Sequence, residues 1–254
     1  MTVDYKKELQ ALIDLLLAEK ASDMHFSVGS HPLIRVSGIL LPLVKKPILT
    51  LADVAGFAKV LMRPDQFDKL AKHQEVDFSF ENTQSVRFRG NAFFQRGRMA
   101  VALRLIPNVI RTFEELNLPP ILESFTQRPQ GFFLCVGPVG QGKSTTLAAM
   151  VNHINRNRAE HIVTIEDPIE FLHKHKQSVV NQREVGLDTH SFASALHNAL
   201  REAPDVIMIG EIRDLDTMQH ALHYAETGHL CVATLHATST THALERIARF
   251  FPED

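Results

Sequence analysis

The stretch Gly137-Pro-Val-Gly-Gln-Gly-Lys-Ser144 has the form G-x-x-x-x-G-K-[ST] and runs on into Thr145. Glycines let such a loop turn its backbone N–H groups onto an anion, and a helix opening at the lysine adds the positive end of its dipole. The expected chemistry is nucleotide binding. Gly137, Pro138, Val139, Gly140, Gln141, Gly142, Lys143, Ser144 and Thr145 form the cradle, Lys143 reaches the β- and γ-phosphates, and Ser144 ligates Mg²⁺. ATP and Mg²⁺ are therefore the expected ligands. A phosphate loop also needs an acid at the end of a neighbouring strand. Asp205-Val-Ile-Met-Ile-Gly-Glu211 supplies one, with Glu where most phosphate-loop proteins have Asp. His161-Ile-Val-Thr-Ile-Glu-Asp-Pro-Ile-Glu170 supplies a second apolar run ending in acids. The chemistry of the residues leaves Glu166 and Glu170 as alternatives for orienting a water.

Other side chains could join them. His229 and His236 stand at the two ends of one apolar run, placed to sense a γ-phosphate. Arg87 and Arg89 are two apart on an alternating stretch and so share a strand face. Arg104 sits on another strand and can meet them there. Three cations on one face call for an anion, and a nucleotide phosphate would satisfy that need. His173-Lys-His-Lys176 reads as a solvated turn.

Elements must position these groups. From Gly131 onward short apolar strands alternate with helical stretches: strands over 131–136, 161–165, 205–209 and 229–235, helices over 143–155, 191–201, 214–226 and 240–250. Repeated strand–helix units predict a parallel, doubly wound sheet. The first part differs. Leu9, Leu12, Ile13, Leu16 and Leu17 make one helical face, 51–61 and 64–72 read as helices, and alternating runs over 22–28, 33–40, 76–80, 85–94 and 99–106 read as strands. Three prolines in 107–120 mark a linker. The expected organisation is an α+β domain over 1–106, a linker over 107–120 and an α/β core over 121–254.

Composition narrows the class. The 254 residues carry 27 Lys+Arg against 29 Asp+Glu, a formal charge of −2, so no basic excess points to nucleic acid. No apolar run approaches the ~20 residues that cross a bilayer. Lysines and acids interrupt the N-terminal apolar residues, so no signal peptide is expected. The 2 cysteines, Cys135 and Cys231, exclude a disulfide scaffold and a four-cysteine zinc site. They read as reduced thiols of a cytoplasmic core.

Together these motifs resemble the secretion-type hexameric ATPases, and most of all the type IV pilus retraction ATPases of the PilT/PilU family. The resemblance rests on Ala21-Ser-Asp-Met-His25, Ile34-Arg-Val-Ser-Gly38, Arg87-Phe-Arg-Gly-Asn-Ala-Phe93, Leu103-Arg-Leu-Ile-Pro107, the phosphate loop, Thr164-Ile-Glu-Asp-Pro-Ile-Glu170, Asn181-Gln-Arg-Glu-Val-Gly186, Gly210-Glu-Ile-Arg-Asp214, and Glu226-Thr-Gly-His-Leu230 with Thr234-Leu-His-Ala237. The last of these, with Phe250-Phe-Pro-Glu-Asp254, looks closer to PilU. The resemblance implies a RecA-like ATPase core behind an N-terminal PAS-like domain, with nucleotide between them in a ring of six. It makes Glu170 the catalytic glutamate, Glu211 the Walker B acid and a Mg²⁺ ligand, His229 and His236 the box histidines, and Arg87, Arg89 and Arg104 phosphate-facing arginines. It implies a Mg²⁺-dependent motor for pilus retraction and twitching motility. That motor would be cytoplasmic at the inner-membrane pilus machine, beside a PilT-like partner and a platform protein, without membrane insertion. A weakly active PilU-like accessory subunit is the alternative. An extension or type II secretion ATPase is a further one, although the tetracysteine site usual there is absent. The loop reads Pro-Val-Gly-Gln-Gly where the family has Pro-Thr-Gly-Ser-Gly. Family members also continue into a further helical region with an AIRNLIRE-like segment that this sequence does not contain.

Overall fold

The structure, a computed structural model, describes residues 3–107 and 109–251. Pro252, Glu253 and Asp254 of the family-like ending, and Asn108 of the proline-rich stretch, lie outside the described residues. The chain divides into two compact units, Met1–Ile106 and Pro107–Asp254.

In the first unit α1 (Tyr5–Ala18) is followed by β1 (Asp23–Ser27), β2 (Leu33–Val36), β3 (Ile39–Pro42), α2 (Leu51–Leu61), α3 (Pro64–His73), β4 (Glu75–Glu81), β5 (Arg87–Gln95) and β6 (Arg98–Ile106). The six strands form one antiparallel sheet in the order β3-β2-β1-β6-β5-β4. Leu9, Leu12, Ile13 and Leu16 of α1 are buried with Val54, Phe57, Ala58 and Leu61 of α2 against Met24, Phe26, Phe88 and Leu103 of the sheet. Leu17, read as part of the same stripe, is 37% exposed. A reciprocal cap between Thr50 and Asp53 starts α2 where the sequence places it. The single strand expected over 33–40 is two. Ser37 and Gly38 take positive φ of 49° and 85°, which folds the chain back as a tight hairpin.

The second unit contains α4 (Ile121–Thr126), β7 (Gly131–Val136), α5 (Lys143–Asn157), β8 (His161–Glu166), β9 (Val179–Glu184), α6 (Phe192–Ala199), β10 (Val206–Ile209), α7 (Leu215–Glu226), β11 (Leu230–Leu235) and α8 (Thr240–Ala248). All strand pairs are parallel, in the order β7-β11-β10-β8-β9, as the alternating strand–helix pattern predicts. Successive residues of each strand serve opposite faces. Ile162, Val206, Met208, Leu230 and Val232 pack with Leu147, Met150, Val151 and Ile154 of α5. Val163, Ile165, Ile207, Ile209, Cys231 and Ala233 pack with α6 and α7 through Ala195, Leu196, Met218, Ala221 and Tyr224. The sheet is thus covered on both sides.

The proline-rich stretch does not stand apart from this core. Phe113 is buried among Leu147, Met150 and Ile154, and its ring stacks on His153 at 5.1 Å. Cys135 and Cys231 are free thiols, and burial pushes Cys231 up to about 12. No helix among the described residues is long and apolar enough to cross a membrane.

Candidate active site

Parallel strands leave a crevice beyond their C-terminal ends, and the connections leaving β7, β8, β10 and β11 meet there. The phosphate loop leaves β7 through Gly140 and Gly142, both at positive φ (79° and 82°), and α5 begins at Lys143. No Cβ would clash at either glycine, so the left-handed backbone itself is the requirement. The loop borders a cavity of about 410 Å³ lined by Val139, Lys143, Ser144, Thr145, Glu166 and Glu170 among others, and by Glu211 and His236 across from them.

Lys143 is buried although charged. Its Nζ donates to Pro138 O at 2.8 Å and meets His236 Nδ1 at 3.3 Å. The other ring nitrogen of His236 lies 3.2 Å from Glu211 Oε1. A lysine donating to Nδ1 requires the proton on Nε2, which then donates to Glu211. Arg213 donates to Glu211 Oε2 at 3.0 Å and to Asp167 Oδ2 at 3.1 Å. A continuous polar chain therefore runs Lys143–His236–Glu211–Arg213–Asp167.

The two acids that chemistry left as alternatives differ in surroundings. Glu166 ends β8 and is 5% exposed. It accepts from Thr164 Oγ1 at 2.7 Å, Gln182 Nε2 at 3.0 Å and Glu170 N at 3.4 Å. Burial nevertheless raises its pKa above the ordinary carboxylate value, with the nearby Glu170 charge adding to the rise. Glu170 lines the same cavity with an exposed side. Asp167 turns instead to Arg213.

The structure brings Lys143, Ser144, Thr145, Glu166, Glu170, Glu211 and His236 together. It does not bring His229 to them. His229 precedes β11 and His236 follows it, so roughly 20 Å of extended chain separates the two. His229 Nδ1 lies 3.2 Å from both Thr227 Oγ1 and Tyr224 O, and its ring meets Tyr224 edge-on. The turn expected at 173–176 is also only partly solvated: His173 is buried, while residues 174–176 are exposed.

Arg87, Arg89 and Arg104 stand on the first unit's sheet, on the face away from its core. Arg89 is directly across from Arg104, and Arg104 across from Asp23. The sheet itself supplies one anion on this face: Asp23, 6% exposed, accepts at Oδ1 from Arg104 Nε at 2.9 Å, and its Oδ2 lies 3.3 Å from Arg35 Nε. Burial works against the Asp23 charge, but the bonds from Ser22 and Arg104 outweigh it and lower the pKa.

Several site residues went unread in the sequence. Thr164 could have been found, being two before Glu166 on one strand and hence on its face. Arg213 follows Glu211 by two but beyond the end of β10, where no strand periodicity signals it. Gln182 lies on β9, a strand whose polar residues give no apolar alternation.

Ser144 and Glu211 offer a hydroxyl and a carboxylate oxygen to one cavity, the donor type a hard divalent cation takes, so the residues fit Mg²⁺.

A family model described as Type II/IV secretion system protein matches residues 4–253. The Type IV pilus ATPase PilU of Pseudomonas aeruginosa is 46% identical over 250 residues, which cover 97% of this chain and 64% of that protein. The Type IV pilus retraction ATPase PilT of the same organism is 42% identical, with 97% of this chain and 72% of that protein covered. Among solved structures, the pilus retraction motor PilT with bound ADP superposes at a TM-score of 0.91 and 46% identity, over 96% of this chain and 71% of that one.

Proposed function

This chain belongs to the Type II/IV secretion system protein family, and from that premise we propose that it is a Mg²⁺-dependent ATPase that drives type IV pilus retraction. The observation that carries the reading is the convergence of Lys143, Ser144, Glu170, Glu211 and His236 on one cavity at the strand ends.

The roles follow from the contacts. Lys143 is held by Pro138 O and His236 within reach of the phosphate loop, and it turns to the β- and γ-phosphates when ATP enters. The backbone amides of 140–145 cradle the phosphates. Ser144 and Glu211 would hold Mg²⁺. Once held there, the ion would supply neutralisation of phosphate charge. Glu170 orients the attacking water. Glu166, buried and bonded by Thr164 and Gln182, holds the wall behind it. Because His236 bonds both Lys143 and Glu211, any movement of Lys143 toward phosphate is felt at the acid. Arg87, Arg89 and Arg104 act on the developing phosphate charge in a ring of six subunits, with Asp23 fixing the direction of Arg104. Work is done cytoplasmically at the pilus base, against a membrane platform protein.

A second reading has its own support. Between the two Pseudomonas aeruginosa proteins the identity to PilU, 46%, exceeds that to PilT, 42%, while the solved PilT is itself 46% identical. On that reading the chain is an accessory subunit with weak turnover of its own that acts with a PilT-type motor. ATP turnover measured with and without such a motor separates the two.

The direct test of the site is Lys143→Ala. Removing the one lysine in the cradle should abolish nucleotide binding in a calorimetric titration. Micromolar ATP affinity in the variant would refute the assignment of the loop.

A further inference from the structure

The proposed reaction leaves His173 unused. It follows Glu170 by three residues in the connection between β8 and β9 and lines the crevice beside Glu166, Glu170 and Phe171. The residue is 8% exposed, and neither ring nitrogen has a hydrogen-bond partner among the described residues. Its backbone is fixed all the same. His173 N donates to Gln182 Oε1 at 2.7 Å, while Gln182 Nε2 donates to Glu166 Oε1 at 3.0 Å and to Phe171 O at 2.8 Å. One amide thus holds both the buried carboxylate at the end of β8 and the peptide that carries the imidazole.

Burial, with the Lys176 charge adding to it, keeps the ring neutral near neutral pH. A neutral imidazole has one N–H donor and one acceptor nitrogen. Leaving both unmet in the interior costs stability that an apolar side chain of the same size would not lose. A packing role alone therefore gives no reason for histidine here. A partner that arrives with the substrate does.

We propose that His173 contacts the terminal-phosphate end of the bound nucleotide, donating its ring N–H to a phosphate oxygen or to the water held against it. The proposal rests on the reading of the crevice as an ATP site. The phosphate end is chosen over the base because Gln182 ties His173 to Glu166, in the cavity that Lys143, Glu170 and Glu211 also line.

The test uses the whole chain, a non-hydrolysable ATP analogue with Mg²⁺, and ADP as the control lacking the terminal phosphate. His173→Phe fills the same space without nitrogens. It should weaken the analogue by about tenfold or more and leave ADP within about twofold, the size of one hydrogen bond to a charged group. His173→Gln, which restores an amide donor and acceptor, should recover most of the loss. In the wild type, the ring ¹⁵N resonances of His173 should shift with the analogue and not with ADP. Equal weakening of both nucleotides, no weakening of either, or no ring shift with the analogue overturns the proposal. A wild-type chain that binds neither nucleotide refutes the ATP reading itself, and that titration precedes any variant.

Discussion

The burial of His173 makes the stability of the second unit depend on pH. Burial first, and the Lys176 charge second, push its pKa down to about 4, against 6.5 for an unperturbed imidazole. Between those values the unfolded chain takes up a proton that the folded chain refuses. The contribution is therefore full above the unfolded pKa and is lost as the pH falls through the window toward the folded value. Integrating over about pH 7.5 to about pH 5 gives a loss of ~2 kcal/mol. Glu166 works in the opposite direction. Burial raises its pKa, so the folded state keeps a proton that the unfolded state releases, and its contribution falls as the pH rises. A wild-type profile mixes the two, and His173→Phe separates them because it removes the imidazole and leaves the acid. Wild type and variant should be unfolded in urea at both pH values, following the second unit. The stability difference should move by ~2 kcal/mol in favour of the variant at the lower pH. Parallel profiles would refute the argument that His173 is held neutral by its surroundings.

Two further outcomes follow from the packing and the charges. Phe113→Ala empties a buried place between α5 and its own segment and should destabilise the second unit by about 3–5 kcal/mol in urea unfolding. A change under about 1 kcal/mol would make the segment a free linker. Arg104→Ala should cut ATP turnover by up to about 10³-fold while ATP affinity changes little, as for an arginine that acts on developing charge. Wild-type turnover in Arg87→Ala, Arg89→Ala and Arg104→Ala alike would leave these as sheet charges that serve only Asp23 and their neighbours.

Much of the fold could be read in the sequence where local signals agree. The phosphate loop follows an apolar strand and opens a helix, so its spacing, its glycines and its surroundings point the same way, and β7 and α5 start where expected. The same holds for α2, which carries a cap and an apolar stripe together. Where a signal is tertiary, reading fails. The division of the run 33–40 is a different case, a local turn at Ser37-Gly38 whose dipeptide is itself a turn signal that the alternation around it overrode. β9 contains Asn181, Gln182, Arg183 and Glu184, because an edge strand of this sheet spends its side chains on Glu166, Glu202 and the 167–178 connection. The string of basic residues at 173–176 looks solvated, and nothing in its composition says that the first histidine turns inward. Asp23 hid in the same way: its partners Arg35 and Arg104 are 12 and 81 positions away and meet it only through strand register. The acids of the site could be listed from spacing, yet their environments could not. Glu166 and Glu170 are four residues apart, and only the structure separates the buried, hydrogen-bonded carboxyl from the exposed one.

The role assigned to Glu170 is tested most directly by ATP turnover of Glu170→Gln beside wild type and Glu166→Gln, with nucleotide affinity measured on the same samples. The expected result is that Glu170→Gln binds ATP with nearly unchanged affinity and turns it over ~10²–10⁴-fold more slowly, the range lost with a positioned base. Normal turnover in Glu170→Gln together with an inactive Glu166→Gln would contradict it and move the reacting water to the buried carboxyl at the end of β8.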